Sequence, residues 1–215
     1  MATAREALLD AALAAIATRP WAAVRMVDVA TAAGVSRQTL YNEFGSKDGL
    51  ARALIRRATD GYLAGVEKAL AAGQGPAALA LWTVHCARTN ALVRALLTGF
   101  WGERLPRPVR AAPPSAVPAR RRADAATPAP AELLALVRDR AVAALGEGRP
   151  GRDAAELAVT CEIALRLALS YALVPPAGAA GPDGAAADLA PLVREAVARR
   201  PGGLRETRQC EEPES

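Results

Sequence analysis

Val29-Ala-Thr-Ala-Ala-Gly-Val-Ser-Arg-Gln-Thr-Leu-Tyr-Asn-Glu-Phe-Gly-Ser-Lys-Asp-Gly-Leu50 reads as a short helix, a tight turn at Gly34, and a second short helix laid across the first. Gly34 supplies the left-handed backbone conformation that such a turn needs and that a β-carbon resists. Ser36 is placed to cap the second helix, Arg37 to Phe44. Leu40 and Phe44, four residues apart, share its inward face, with Val35 just before it. A step of about 100° per residue turns Gln38 and Asn42 to the opposite face, with Thr39 and Tyr41 on its flanks. Two turns of helix whose outer face is spent on Arg37, Gln38, Thr39, Tyr41 and Asn42 suit base edges and phosphates. The segment is a helix-turn-helix by its spacing.

The rest of the chain agrees with a helical fold. Its 215 residues are 52% hydrophobic but only 4% aromatic, so the core must be mostly Ala, Leu and Val. That composition favours closely packed helices over an aromatic-rich β-sandwich. The net charge of +5 suits an anionic partner without proving one. Residues 1–59 hold eight Lys/Arg against five Asp/Glu, and residues 103–130 hold six Arg against two acids. Cys86, Cys161 and Cys210 are odd in number and far apart, which fits reduced thiols in a cytoplasmic protein. Glu6 and Asp10 interrupt the first apolar stretch, which argues against a signal peptide. The apolar run from Ile163 to Pro175 is broken by Arg166 and is too short to span a bilayer, so no membrane partner is expected. An enzyme carrying an incidental helix-turn-helix fails on inventory. With one histidine, no Gly-rich phosphate loop and no paired carboxylates, neither catalysis nor a metal or other cofactor is expected.

Periodicity predicts nine helices and no strand. Residues 3–18 carry Leu9, Leu13 and Ile16 on one stripe, with Ala12 beside them, until Pro20-Trp21. Helices follow at 26–33 and 37–44. Ser46 then caps a long helix that runs through Leu50, Leu54, Tyr62, Val66 and Leu70 to Gly73. Further helices are expected at 76–89, 90–98, 130–145, 153–174 and 185–199. The seven prolines between Pro106 and Pro130, with Arg120-Arg-Arg122 among them, predict a long mobile loop. Residues 201–215 read as a disordered polar tail in which Cys210 is exposed. The fold class is therefore all-α, with a three-helix head at residues 1–46 and a helical body at 47–200.

Asp28-Val-Ala30, Ala33-Gly-Val-Ser36, Thr39-Leu-Tyr41, Phe44, Ser46-Lys47 and Leu50 resemble the DNA-binding domain of TetR-family transcriptional regulators in both spacing and residue type. The resemblance covers about residues 5–55. Two positions depart from it. Gln38 stands where the family usually has a small residue, and Arg25 where it usually has a Ser or Thr that caps the first helix of the motif. The resemblance implies that Tyr41 and Lys47 contact phosphates and that Arg37 and Thr39 approach bases or backbone, with Ser36 at the helix start. Gln38 and Asn42 can each pair bidentately with adenine, and Arg25 is expected at the flanking backbone. The family also implies a homodimer on a palindromic operator, formed through the last two long helices. Leu157, Ile163, Leu167, Leu189, Leu192 and Val193 are its apolar candidates. One recognition helix reads only a few base pairs, so two-fold pairing also follows from DNA geometry.

By the same resemblance, the function is repression relieved by a small hydrophobic effector. The form "SRQTLYNEFG" resembles a subgroup linked in part to alkane or fatty-acid metabolism, which implies a fatty-acyl or alkane-related molecule. Trp82, His85, Thr89, Trp101, Cys161 and Tyr171 are the large or polar groups that helical spacing could aim into an Ala/Leu interior. The same residues also fit an ordinary helical core, and His85 a half-buried, hydrogen-bonded one. Arg120–Arg122 fit either a second DNA contact or a solvated loop. The alternative function is a helix-turn-helix protein without a ligand, controlled by a protein partner.

Overall fold

Thr3 starts the first helix with a reciprocal cap: its Oγ1 accepts from the Glu6 amide at 3.2 Å, and its own amide donates to Glu6 Oε2 at 2.8 Å. From that cap α1 runs Ala4–Thr18, followed by a 3₁₀ turn at Trp21–Ala23, α2 at Met26–Ala32 and α3 at Arg37–Phe44. The long α4 spans Lys47–Ala71, then come α5 at Gly75–Thr89, α6 at Ala91–Thr98, α7 at Pro130–Gly146 and α8 at Ala154–Leu173. The computed structural model describes residues 3–73, 75–108, 127–146, 154–174 and 189–195, the last of these also helical. All regular structure among the described residues is helical. Arg120–Arg122, the tail from 201 with Cys210, and the rest of the 185–199 helix lie outside them.

Side-chain caps set the breaks between helices. Asn90 Oδ1 accepts from the amides of Leu92 and Val93 at 3.0 and 3.2 Å, so α6 starts afresh where α5 stops. Gly99, at φ +76, ends α6 in the left-handed conformation. Residues 103–108 are non-helical, as their prolines predict, and Pro106 is buried.

The main core is a continuous cluster. It begins in α1 and α3 with Leu8, Leu9, Ala12, Leu40 and Phe44, passes along α4 through Leu50, Leu54, Tyr62 and Val66, and continues into α5–α8. Leu8, which the expected stripe omitted, is fully buried because α1 packs against α2, α3 and α4 together. Leu13 is only partly buried, at the edge of that packing. Each fully buried leucine contributes about 1.5–3 kcal/mol. α4 thus packs against α1 and α3 as well as against α5, α6 and α7.

One polar network crosses the body. The Tyr62 hydroxyl lies 2.9 Å from Thr83 Oγ1, and the Trp82 indole donates to the Tyr62 carbonyl at 3.1 Å. The Trp82 ring occupies the space that a β-carbon on Gly65 would need, so α4 and α5 touch there through a glycine. A second, smaller cluster joins Ala77, Ala80 and Val84 of α5 to Ala164 and Ala168 of α8, closed by Leu189 and Val193.

Candidate nucleic-acid interface and neighbouring cavities

Gly34 adopts φ +67 with open space around it, and two backbone bonds close its turn, Gly34 N–H to Thr31 O at 3.1 Å and Val35 N–H to Ala30 O at 3.0 Å. Ser36 then caps α3: its Oγ accepts from the Thr39 amide at 3.0 Å and lies 2.9 Å from the Thr39 hydroxyl. Leu40 and Phe44 are buried beneath the helix. At its far end the Arg5 guanidinium stacks 4.7 Å from the Phe44 ring centre and reaches the Glu43 carboxylate at 3.3 Å. A cation at a helix C-terminus is favoured by the helix dipole, so α1 pins the end of α3.

With its inner face fixed, α3 presents Arg37, Gln38, Tyr41 and Asn42 to solvent, and Thr39 is half-buried between them and Ser36. Gln38 and Asn42 are not independent, because the Gln38 amide donates to Asn42 Oδ1 at 2.9 Å. The bond holds both side chains over the same turn. Gln38 keeps a second N–H and its carbonyl, and Asn42 keeps its amide donors, so the pair still offers donors and acceptors to a base edge. Arg25 occupies the N-cap of α2 without any side-chain capping bond, and it is exposed. Replacing the expected hydroxyl costs a cap and leaves a free guanidinium beside the motif.

Lys47, at the first position of α4, donates to the Ala22 carbonyl at 3.1 Å and sits 5.1 Å above the Trp21 ring. Partial burial pushes its pKa below the usual lysine value, against the opposing pull of Asp48. The aromatic face and the carbonyl together hold the ammonium in one place at the start of α4. Trp21 is the residue that sequence reasoning missed. Nothing in the spacing 21–47 marks the contact, which arises because the 3₁₀ turn folds back against the start of α4.

The six residues expected to share an apolar cavity separate. Trp82, His85 and Thr89 do line one open cleft of about 370 Å³, together with Tyr62 and Cys86. The Trp82 and His85 rings stack there at 5.8 Å, and His85 is exposed rather than half-buried. Arg57, which also lines this cleft, is paired with Asp10 of α1 at 2.7 Å. Trp101 lines a different depression of about 620 Å³. Cys161 is fully buried in the main core, and Tyr171 packs onto the second cluster. One helix cannot aim Cys161 and Tyr171 at the same point, since ten residues turn it by about 1000°, or 80° short of three full turns. Burial pushes the thiols of Cys86 and Cys161 up to about 11, so both stay protonated at neutral pH.

Because Cys161 is packed on all sides, Cys161→Trp is expected to overpack the core. It should cost about 1–3 kcal/mol and lower the melting temperature rather than fill a cavity. An unchanged melting temperature would reveal space beside Cys161.

The apolar candidates for a dimer face also divide. Leu157, Leu189 and Val193 are consumed inside the chain's own core, whereas Ile163 and Leu167 are half-buried and Leu192 is 42% exposed. Val159, 43% exposed on α8, adds to the outer set. Among the described residues no cluster of His, Cys, Asp and Glu could hold a metal ion, and no helix is long and apolar enough to cross a membrane.

Residues 8–54 match the family described as bacterial regulatory proteins, tetR family. Over 71 residues the chain is 46% identical to the HTH-type transcriptional regulator AlkX of Mycobacterium tuberculosis (strain ATCC 25618 / H37Rv), covering 33% of this chain and 34% of that protein. The match thus spans about a third of that relative's length. Among solved structures, the chain is similar to the TetR family repressor AlkX from Dietzia sp. strain DQ12-45-1b, implicated in biodegradation of n-alkanes, at a TM-score of 0.49 and 23% identity over 90% of this chain and 95% of that one. A putative TetR-family transcriptional regulator from Rhodococcus sp. gives a TM-score of 0.49 and 19% identity over 90% and 98% of the two chains.

Proposed function

We propose that this chain, a member of the tetR family of bacterial regulatory proteins through its residues 8–54, binds a palindromic operator as a homodimer and represses transcription until a small hydrophobic molecule releases it. One observation carries the reading: a capped two-turn helix, anchored by Leu40 and Phe44, turns Arg37, Gln38, Tyr41 and Asn42 outward inside the family-matching segment. In this reading the head is residues 1–46 and the body residues 47–200. Arg37, Gln38, Thr39 and Asn42 meet the major groove, and Ser36, Tyr41, Lys47 and Arg25 meet the backbone on either side. The α8 face bearing Val159, Ile163 and Leu167, with Leu192, forms the two-fold contact, which sets the two reading heads about 34–36 Å apart or a multiple of that.

The effector is taken to be fatty-acyl or alkane-related. The Dietzia protein's description supports that only by its mention of n-alkanes. Whatever its identity, the effector must bind the DNA-incompetent arrangement more tightly, or no equilibrium moves.

Lys47→Ala tests the DNA half of this reading. With its ammonium gone, affinity should fall for operator and random duplex alike, and the slope of log affinity against log salt should flatten by about 1.8, one phosphate contact in each of the two heads. Fluorescence anisotropy at several salt concentrations measures it. A variant that lost operator binding while keeping the full salt slope would refute the phosphate role.

A further inference from the structure

α3 carries one acidic residue, Glu43. It follows Thr39 by four residues and so shares that residue's side of the helix, beside the groups proposed to meet DNA. Its side chain is 38% exposed. The same end of α3 also presents the partial negative charge of the last helical carbonyls. A bare carboxylate there would repel any phosphate within a Debye length, about 8 Å at physiological salt.

One guanidinium from another helix meets both negative groups. Arg5 Nη1 donates to Glu43 Oε2 and to the Glu43 carbonyl, each at 3.3 Å. Two features hold Arg5 in that place. Its guanidinium carbon lies 4.7 Å from the ring centre of Phe44, which is itself buried. Its backbone belongs to the first turn of α1, inside the Thr3–Glu6 capping box. Glu6, the acid beside it in sequence, is taken up by that cap. Arg52 lines the same depression as Glu43 but forms no ion pair with it. As a stabilising contact the Arg5–Glu43 pair is worth little, since both side chains keep more than a third of their surface in water. Its effect on the charge of α3 is larger.

We propose that Arg5 is a positioning residue for DNA binding that acts through Glu43, shielding approaching phosphates from the carboxylate and the last carbonyls of α3. The charge count of the helix shows why one residue suffices. Arg37 and Glu43 are its only ionised side chains. Without Arg5 they cancel, and α3 meets DNA with no net charge. With Arg5 on Glu43, the charge of Arg37 is left uncompensated and attractive. The stack on Phe44 and the bonds to Glu43 aim the guanidinium at α3, so its work is done within the protein. The shield rests on the DNA-binding reading above.

The probes are a duplex selected by the full-length wild type from a random-sequence pool, and the unselected pool itself. A single surface charge beside a phosphate is worth roughly threefold, so in a dimer Arg5→Gln should weaken both probes about tenfold. Adding Glu43→Gln should bring affinity back to within about threefold of wild type, because the shield is not needed once the carboxylate is gone. Adding Asp139→Asn instead makes the same change in net charge from α7, which packs on α4, α5, α6 and α8, and should restore nothing. Melting temperatures should move by no more than about 4 °C throughout, as suits an exposed pair. Unchanged affinity in Arg5→Gln would overturn the shield, and so would a loss that Glu43→Gln fails to restore. An unrestored loss with a lowered melting temperature would make Arg5 a brace for α3, and one with an unchanged melting temperature would make it a direct phosphate contact. Restoration by Asp139→Asn would reduce the effect to net charge and overturn the shield as well. A wild type that binds neither duplex at low salt would instead refute the DNA-binding reading, and the shield with it.

Discussion

Gly49→Ala is expected to destabilise the protein by about 3 kcal/mol and to abolish binding to operator and random DNA together. The sign is opposite to what helix propensity alone dictates, because Gly to Ala inside a helix is worth about 0.8–1 kcal/mol in favour of Ala. Here a β-carbon would run into the Phe44 carbonyl, a backbone atom that cannot swing aside. Gly49 also donates its amide to the Ser46 cap at 3.1 Å, so the first turn of α4 is already tied down. Relief requires α4 and the end of α3 to part, which tilts the recognition helix away from the face that Leu40 and Phe44 define. For a chain of this size the loss corresponds to a melting temperature roughly 6–12 °C lower. Gly61→Ala supplies the control from the same helix: nothing lies within 4 Å of a β-carbon there, and the change should stabilise by about 0.5–1 kcal/mol. Thermal melts and DNA titrations of both variants decide the matter. Equal stabilisation by the two would show that α3 and α4 do not meet as closely as Phe44 and Gly49 imply.

What was legible in the sequence was local. Gly34, Ser36, Leu40, Phe44 and Ser46 specify turn, caps and inward face within a dozen residues of one another, and the structure places each in that role. The five apolar positions expected along α4, Leu50, Leu54, Tyr62, Val66 and Leu70, are all buried, since a single long period survives in a helix packed on several sides. What was not legible depended on contacts between elements. Trp21 looks like the end of a helix until the chain folds it under Lys47, and Trp82 acquires its place only because Gly65, on another helix, leaves room. Apolar residues of α8 and of 189–195 face the chain's own core or the solvent according to how those helices pack, which periodicity cannot assign. Leu189 and Val193 went inward, while Leu192 between them stayed out.

Gln38→Ala should cost roughly 1–3 kcal/mol per head on the operator and little on random duplex, because a base-edge contact is lost only where the matching base stands. The Gln38–Asn42 hydrogen bond sharpens this expectation. Removing Gln38 also frees the Asn42 carbonyl and lets that side chain rotate, so Asn42→Ala should cost less in the Gln38→Ala background than in the wild type. A lone backbone contact at Gln38 would give equal losses on both DNAs and strict additivity with Asn42. The position suits such a test because both side chains are exposed and form no other side-chain hydrogen bond among the described residues, so neither change should disturb the fold. The mechanism has a clear energetic scale. A loss of about 2 kcal/mol is near thirtyfold in affinity, and in a two-fold complex each head suffers it, so the dimer should lose close to the square of the single-head factor. Specificity at this residue would then arise from a pair of amides that hold each other in register, not from either one reading alone.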